Sequence, residues 1–244
     1  MKRMLTFAKR CAKEILRDPI HLFFGSVFPL ILLLLLHTIQ KNIPVSLFEI
    51  GSLTPGITVF SLSFLTLFAG TLVAKDRESA FLQRLYTTPL TAFDFIVGYT
   101  LPLLPIALGQ AAVCYLAAVP LGLPLSIRTL HALLGILPMA LFHIALGLLC
   151  GSVLSVKQTS SLCGALLTNL AAWLSGVWFD LSLAGEWLKT AADALPFLHA
   201  VEAEKALLQG SFETVLPHAL PILLYAGLTT AAAVFFFLRQ MKQQ

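Results

Sequence analysis

Charged residues are scarce in this chain of 244 residues. Only 11% of its residues are Asp, Glu, Lys or Arg, whereas 58% are hydrophobic, and the mean hydropathy is +0.88. Soluble domains contain roughly 25% charged residues. A chain this short and this apolar has too little polar surface to cover a water-soluble globule, which excludes that class. Its solvent is therefore largely lipid.

The charges that are present leave long gaps between them, and these gaps predict membrane spans. A helix needs about 20 apolar residues to cross the hydrocarbon core, whereas barrel strands would alternate polar and apolar residues. The sequence therefore predicts an all-α membrane protein with six transmembrane helices. Thr54 is predicted to cap the second of them, with Pro55 in its first turn. The six predicted spans are 21–39, 54–74, 95–119, 131–155, 162–179 and 217–238.

Motifs for enzymatic chemistry are also missing. The sequence has no P-loop, no G-x-S-x-G elbow and no H-E-x-x-H pair, and its four cysteines lack metal-ligand spacing. We therefore expect no catalytic site, no metal and no cofactor on this chain, and no nucleic-acid partner.

Carboxylates are absent from the six charge-free windows, since all twelve acidic residues lie outside them. Ion-coupled carriers usually place ionisable groups inside the membrane to bind the driving ion. This absence favours a transporter that is driven by an external motor. The alternatives are a neutral-lined channel or carrier acting alone, a non-transporting membrane subunit and, with less support, a membrane-embedded enzyme.

The distribution of Lys and Arg predicts the orientation. Six of them precede the first span, and the sequence as a whole places twelve on that side of the membrane against four on the other. The positive-inside rule therefore predicts that both termini are cytoplasmic. Residues 1–18 are predicted to form a basic amphipathic helix on the inner membrane face. An ordinary cytoplasmic extension of the first span is the alternative.

A short charged segment, 75–90, separates the second span from the third. Its sequence is KDRESAFLQRLYTTPL. Phe81, Leu82, Leu85 and Tyr86 form an apolar patch at helical spacing, and Pro89 is predicted to end the helix. The pattern alone allows either docking to a partner or lying on the lipid headgroups. The polar complement of the patch consists of Arg77, Glu78, Gln83 and Arg84.

Three stretches resemble the permeases of ABC-2 type transporters, the membrane subunits of a class of ABC exporters. They are KDRESAFLQRLYTTPLTAFDFIVGY, the sequence Thr54-Pro55-Gly56, and residues 175–210, which contain two outer helices in that family. The resemblance implies that 75–90 is a coupling helix that docks on a separate ATP-binding subunit, which carries the ATP and Mg²⁺. It also implies a second permease copy or paralogue, and we expect a bacterial plasma membrane. The residues implied in coupling are Asp76, Arg77, Glu78, Phe81, Leu82, Arg84 and Leu85.

The connection 181–213 is the longest between predicted spans, and it carries five acidic residues and two lysines. Its amphipathic pattern predicts two short outer helices that are broken at Pro196. The resemblance implies that these helices re-enter the membrane, and we expect them to cap the exit of the transport path.

The second and fifth spans line the path by analogy with the family. Phe60 and Phe64 are four residues apart, as are Asn169 and Trp173, so each pair shares one helix face. Aromatic surface with a few neutral polar groups, Thr66 included, is suited to an amphipathic or lipid-like cargo. The alternative is that these residues only pack the helices together.

Overall fold

The computed structural model of the chain describes residues 2–79, 81–87, 90–179 and 181–243, and within these ranges all regular secondary structure is helical. The all-α prediction is confirmed. Helix α1, Lys2–Arg17, is followed by the first long helical run, Pro19–Gln40. That run consists of α2 (Pro19–Leu22), a π-helical turn (Phe23–Val27) and α3 (Phe28–Gln40).

Five helical segments in the described chain are long and apolar enough to cross a membrane: Pro19–Gln40, Ile50–Glu78, Phe93–Leu121, Ile127–Val153 and Phe212–Gln240. After α3, the α-helices in chain order are α4 (Ile50–Glu78), α5 (Phe81–Tyr86), α6 (Ala92–Ala118), α7 (Ile127–Gly135), α8 (Leu137–Val153), α9 (Val156–Ser161), α10 (Thr168–Leu174), α11 (Glu186–Ala194), α12 (Pro196–Gln209) and α13 (Phe212–Gln243). Five of the six predicted spans thus coincide with a helix that is long and apolar enough to cross a membrane.

The predicted fifth span, 162–179, is the one that differs. Its helix begins earlier, with the polar α9, whose N-terminus is closed by a capping box between Ser155 and Gln158. After a π-helical turn it ends at Leu174, and Gly176 adopts a positive φ of 69°. A gap between charged residues cannot reveal such a break, because it does not distinguish a helix from an uncharged turn.

Helix α4 is the centre of the bundle and is buried along almost its whole length. It packs closely against α8, because glycines face each other there. A Cβ added at Gly147 would lie 2.5 Å from the carbonyl oxygen of Thr66, and one at Gly151 would lie 2.3 Å from that of Gly70. Small residues of this kind allow membrane helices to approach at backbone distance.

The predicted start of α4 is wrong. The helix begins at Ile50, with Glu49 at the N-cap position, so that Pro55 lies inside it. The Thr54 hydroxyl does not cap the helix but donates a hydrogen bond of 2.7 Å back to the carbonyl of Ile50. Thr-Pro favours a helix start only when nothing upstream is helical, and here an additional turn precedes it.

The two ends of the bundle carry different elements. At one end, which we call the α5 end, α1 and the end of α13 both contact the start of α6, with Phe95 5.5 Å from Phe7 and 5.9 Å from Phe237 between ring centroids. At the other, the α12 end, α11 and α12 are separated at Leu195, directly before Pro196. Helix α1 and the C-terminal part of α13 therefore lie at the same end as α5.

Candidate coupling and transport sites

The charged cluster that precedes α5 belongs to the last turn of α4, and its first member is an internal anchor. Asp76 is only 2% exposed. It accepts two hydrogen bonds from the guanidinium of Arg10, at 2.5 and 2.6 Å, and one of 2.8 Å from the hydroxyl of Tyr99. Partial burial acts to lower the pKa of Arg10, but the bonds and charge of Asp76 outweigh it and raise that pKa above its ordinary value. Asp76 therefore joins α1, α4 and α6.

The next two residues of the cluster close the ends of other helices. Arg77 donates to the carbonyls of Ser152 and Leu154, at the C-terminus of α8, and lies 3.5 Å from the amide oxygen of Gln240 in α13. Glu78 accepts a hydrogen bond of 2.8 Å from the backbone N–H of Val156, the first residue of α9. Both residues satisfy backbone groups that a helix end leaves unpaired.

Helix α5 itself carries the other predicted coupling residues. Leu82 is buried and Arg84 is exposed, while Phe81 and Leu85 are half-buried. The Arg10 guanidinium lies 4.4 Å from the centroid of the Phe81 ring. Ala80, Thr88 and Pro89 of the same segment lie outside the described residues.

A groove of about 430 Å³ separates α5 from α1. Phe7, Phe81 and Leu85 supply apolar lining, and Arg3 and Arg10 also line the groove. The sequence analysis predicted an apolar patch on α5 that includes Phe81 and Leu85, but it predicted neither the groove nor the contribution of α1. The basic character of α1 was visible, but its register against α5 was not.

Four of the predicted cavity residues meet in one cleft of about 510 Å³: Phe60, Phe64, Asn169 and Trp173. Phe60 lies 5.7 Å from Phe64 between ring centroids. Trp173 is 53% exposed, so the cleft is open at the surface of the single chain.

The first helical run contributes two aromatic residues that the sequence analysis missed. Phe24 and Phe28 line the same cleft, with ring centroids 5.3 and 6.0 Å from that of Phe64. Phe24 and Phe28 are four residues apart, which is the spacing that was noticed for Phe60 and Phe64. That repeated spacing is the signal that could have identified them.

Thr66 does not reach the cleft. It is fully buried, and its hydroxyl lies 2.9 Å from Nδ1 and 3.1 Å from the carbonyl oxygen of His143. It therefore joins α4 to α8. In an α-helix Thr66 is two residues beyond Phe64 and so points to a different side.

Comparison with known protein families identifies the family of the chain. The sequence model of the family described as "ABC-2 type transporter" matches residues 2–208, which is most of the chain. The chain belongs to the ABC-2 type transporter family. No curated protein sequence matches the chain.

The matched region begins in α1 and ends within α12, so it includes the α5 groove and the aromatic cleft. The protein is thus a multi-pass transmembrane permease of an ABC transporter. Permeases of this family are the membrane components of transporters, and they typically work with an ATP-binding subunit.

Proposed function

We propose that this permease is the membrane subunit of an ABC exporter and that a separate ATP-binding subunit docks at the α5 end. In this proposal both termini lie in the cytoplasm of a bacterial cell. The observation that carries it is the groove between α1 and α5, which is lined mostly by apolar side chains together with Arg3 and Arg10. An apolar side chain of the ATPase, flanked by acidic residues, would complement this groove.

The last turn of α4, which directly precedes α5, is hydrogen-bonded to several other helices, so motion of a docked ATPase would reach them. Asp76 holds α1 and α6, Arg77 holds α8, and Glu78 holds α9. These bonds support a coupling role in which Asp76, Arg77 and Glu78 transmit movement, while Phe81, Arg84 and Leu85 contact the motor. Leu82 is buried and anchors α5 to the bundle.

Replacing Leu85 by Asp tests the docking surface. A charge in the apolar groove should lower retention of the ATPase in a pull-down by at least tenfold, since a buried anchor commonly contributes more than about 2 kcal/mol at an interface. Leu183→Asp is the matched control, because Leu183 is 85% exposed at the α12 end. Equal retention by both variants, with normal membrane insertion, would show that the ATPase docks elsewhere.

We further propose that the aromatic cleft is one wall of the transport path. The cleft is open at the surface of one chain, so a second permease copy or paralogue facing it would enclose the path. Its lining combines Phe24, Phe28, Phe60 and Phe64 with the amide of Asn169. Such a surface is suited to an amphipathic or lipid-like substrate rather than to an ion.

Cargo-stimulated ATPase activity in reconstituted vesicles tests the cleft. Phe64→Ala and Asn169→Ala should alter the stimulated rate and its dependence on cargo, while the basal rate and assembly stay unchanged. Phe235→Ala is the control, because Phe235 is 60% exposed on α13, away from the cleft. If the cleft variants lose dimerisation and their cargo response equals that of the control, these residues only pack the helices. Transport without any ATPase subunit would instead favour an independent channel or carrier.

A further inference from the structure

A second groove lies between α1, the first helical run and α6. Its volume is about 480 Å³, within the range of small-molecule sites. Its walls are mostly apolar, with Leu16, Phe68, Pro102 and Ile106 among them, and none of the described residues that line it is Asp, Glu, Lys or Arg. None of its lining residues belongs to the aromatic cleft proposed for transport.

Two buried polar atoms belong to residues that line this groove and lack a hydrogen-bond partner in the described structure. They are Oε1 of Gln110, a residue that is 3% exposed, and Nδ1 of His21. The carboxylate of Asp18 is 3.8 Å from His21 Nδ1, which is beyond hydrogen-bonding distance. A buried polar atom without a partner costs about 1–3 kcal/mol, so such atoms mark a place where a ligand can be recognised.

The sequence of α6 shapes one side of the groove. Pro102 and Pro105 lie inside the helix and line the groove. Gly109 lines the groove as well, and a Cβ at that position would meet nothing within 4 Å. The space beside it is therefore open.

We propose that this groove binds a neutral amphiphile that carries a hydroxyl group. The hydroxyl donates to the amide oxygen of Gln110 and can also hydrogen-bond to His21 Nδ1, as donor or acceptor according to the tautomer of the ring, while the apolar body packs on Phe68, Pro102 and Ile106. A neutral ligand is required, since the described lining offers no charged side chain to pair with an ionic one. A hydroxyl is suited to both polar groups because it can donate and accept. This binding is independent of transport and of the ATPase.

Photolabelling tests the proposal. The permease in phosphatidylcholine nanodiscs without ATP is exposed to a monoacylglycerol with a diazirine in its acyl chain, or to its di-O-methyl ether. Peptide mass spectrometry then measures labelling of residues 102–113. The hydroxylated probe should label about fivefold more, the ratio that corresponds to one hydrogen bond of about 1 kcal/mol. Gln110→Leu should remove this preference.

Two glycine substitutions form a matched pair, of which only one fills the groove. Gly109→Leu should lower labelling about fivefold or more, whereas Gly227→Leu should leave it unchanged, because Gly227 on α13 also has open space around it and lies outside the groove. This comparison decides the matter even if Gln110→Leu fails to fold. Equal labelling by the two probes, or equal labelling of the two glycine variants, would overturn the proposal. Neither result bears on docking of the ATPase.

Discussion

Among the described residues, Asp76 and Glu204 are buried carboxylates at opposite ends of the permease, and they differ in how the cost of burying a charge is avoided. Asp76 is paired with Arg10 and with the Tyr99 hydroxyl. Glu204 in α12 has no cation beside it in the described structure; the Tyr115 hydroxyl donates to Oε2, and Oε1 has no partner. A buried acid without a counter-charge keeps its proton, and burial raises the pKa of Glu204 to about 8.

Removing the carboxylate of Asp76 should destabilise the α5 end. Asp76→Ala leaves the buried Tyr99 hydroxyl without its acceptor and Arg10 with only Glu14 as an ionic partner. Breaking a buried ion pair costs about 3–5 kcal/mol, and the partial exposure of Arg10 together with its pair to Glu14 places the expected loss at the lower end. Thermal unfolding in detergent measures the change. Glu202→Ala is the control, because its pair with Lys205 is more exposed and exposed pairs contribute at most about 1 kcal/mol. Equal melting temperatures of the two variants would contradict this role for Asp76.

Glu204 should make stability depend on pH. Its pKa is about 8 in the folded protein and about 4.5 when unperturbed, so the folded state binds more protons between these values. Stability should therefore be greatest below about pH 4.5 and fall as the pH rises toward 8. Melting temperatures between pH 5 and 8 should decline more steeply in the wild type than in Glu204→Gln. Glu202→Gln should retain the wild-type slope, and a wild-type slope in Glu204→Gln would refute the assignment.

At the scale of helices, the sequence predicted the elements whose limits are set by charge. The first helical run and α6 begin and end within three residues of the predicted spans 21–39 and 95–119. The break between α11 and α12 occurs next to Pro196, as the missing N–H of proline requires. The start of α4 and the end of the 162–179 segment were not predictable in this way, since uncharged turns and helices have similar composition.

Patterns in the sequence also predicted much of the candidate site, but they did not predict the hydrogen-bond partners of its side chains. Phe60, Phe64, Asn169 and Trp173 meet because residues four apart share a helix face. By contrast, Asp76, Arg77 and Glu78 carry the charges expected of a docking rim, yet each is bonded within the chain. Those bonds join residues more than 60 positions apart, and local spacing contains no information about such pairs.

Helices α11 and α12 allow a direct test of the proposed orientation. A cysteine at Trp187, which is 73% exposed on α11, should react with an impermeant thiol reagent added to whole cells. One at Thr87, which is exposed next to α5, should react only in inverted vesicles. Background labelling should be low, because all four native cysteines are buried. The reverse pattern would invert the proposed topology.

For the molecule as a whole, the α5 end is a junction that gathers distant parts of the chain around α4. Asp76 and Arg10 are 66 residues apart, and Arg77 and Gln240 are 163 apart. Helix α1, the end of α8, the start of α9 and the end of α13 all meet there. A disturbance at this junction is therefore shared by several spans at once.

The same junction has a consequence for biosynthesis. Helix α1 is made before its partner Asp76, which follows the second span, and Gln240 is made 163 residues after Arg77. The groove between α1 and α5 therefore cannot form before α5 has been made, and the contact of Arg77 with α13 cannot form before Gln240 has been made. A chain that stalls before Gln240 would lack this contact beside the proposed docking surface.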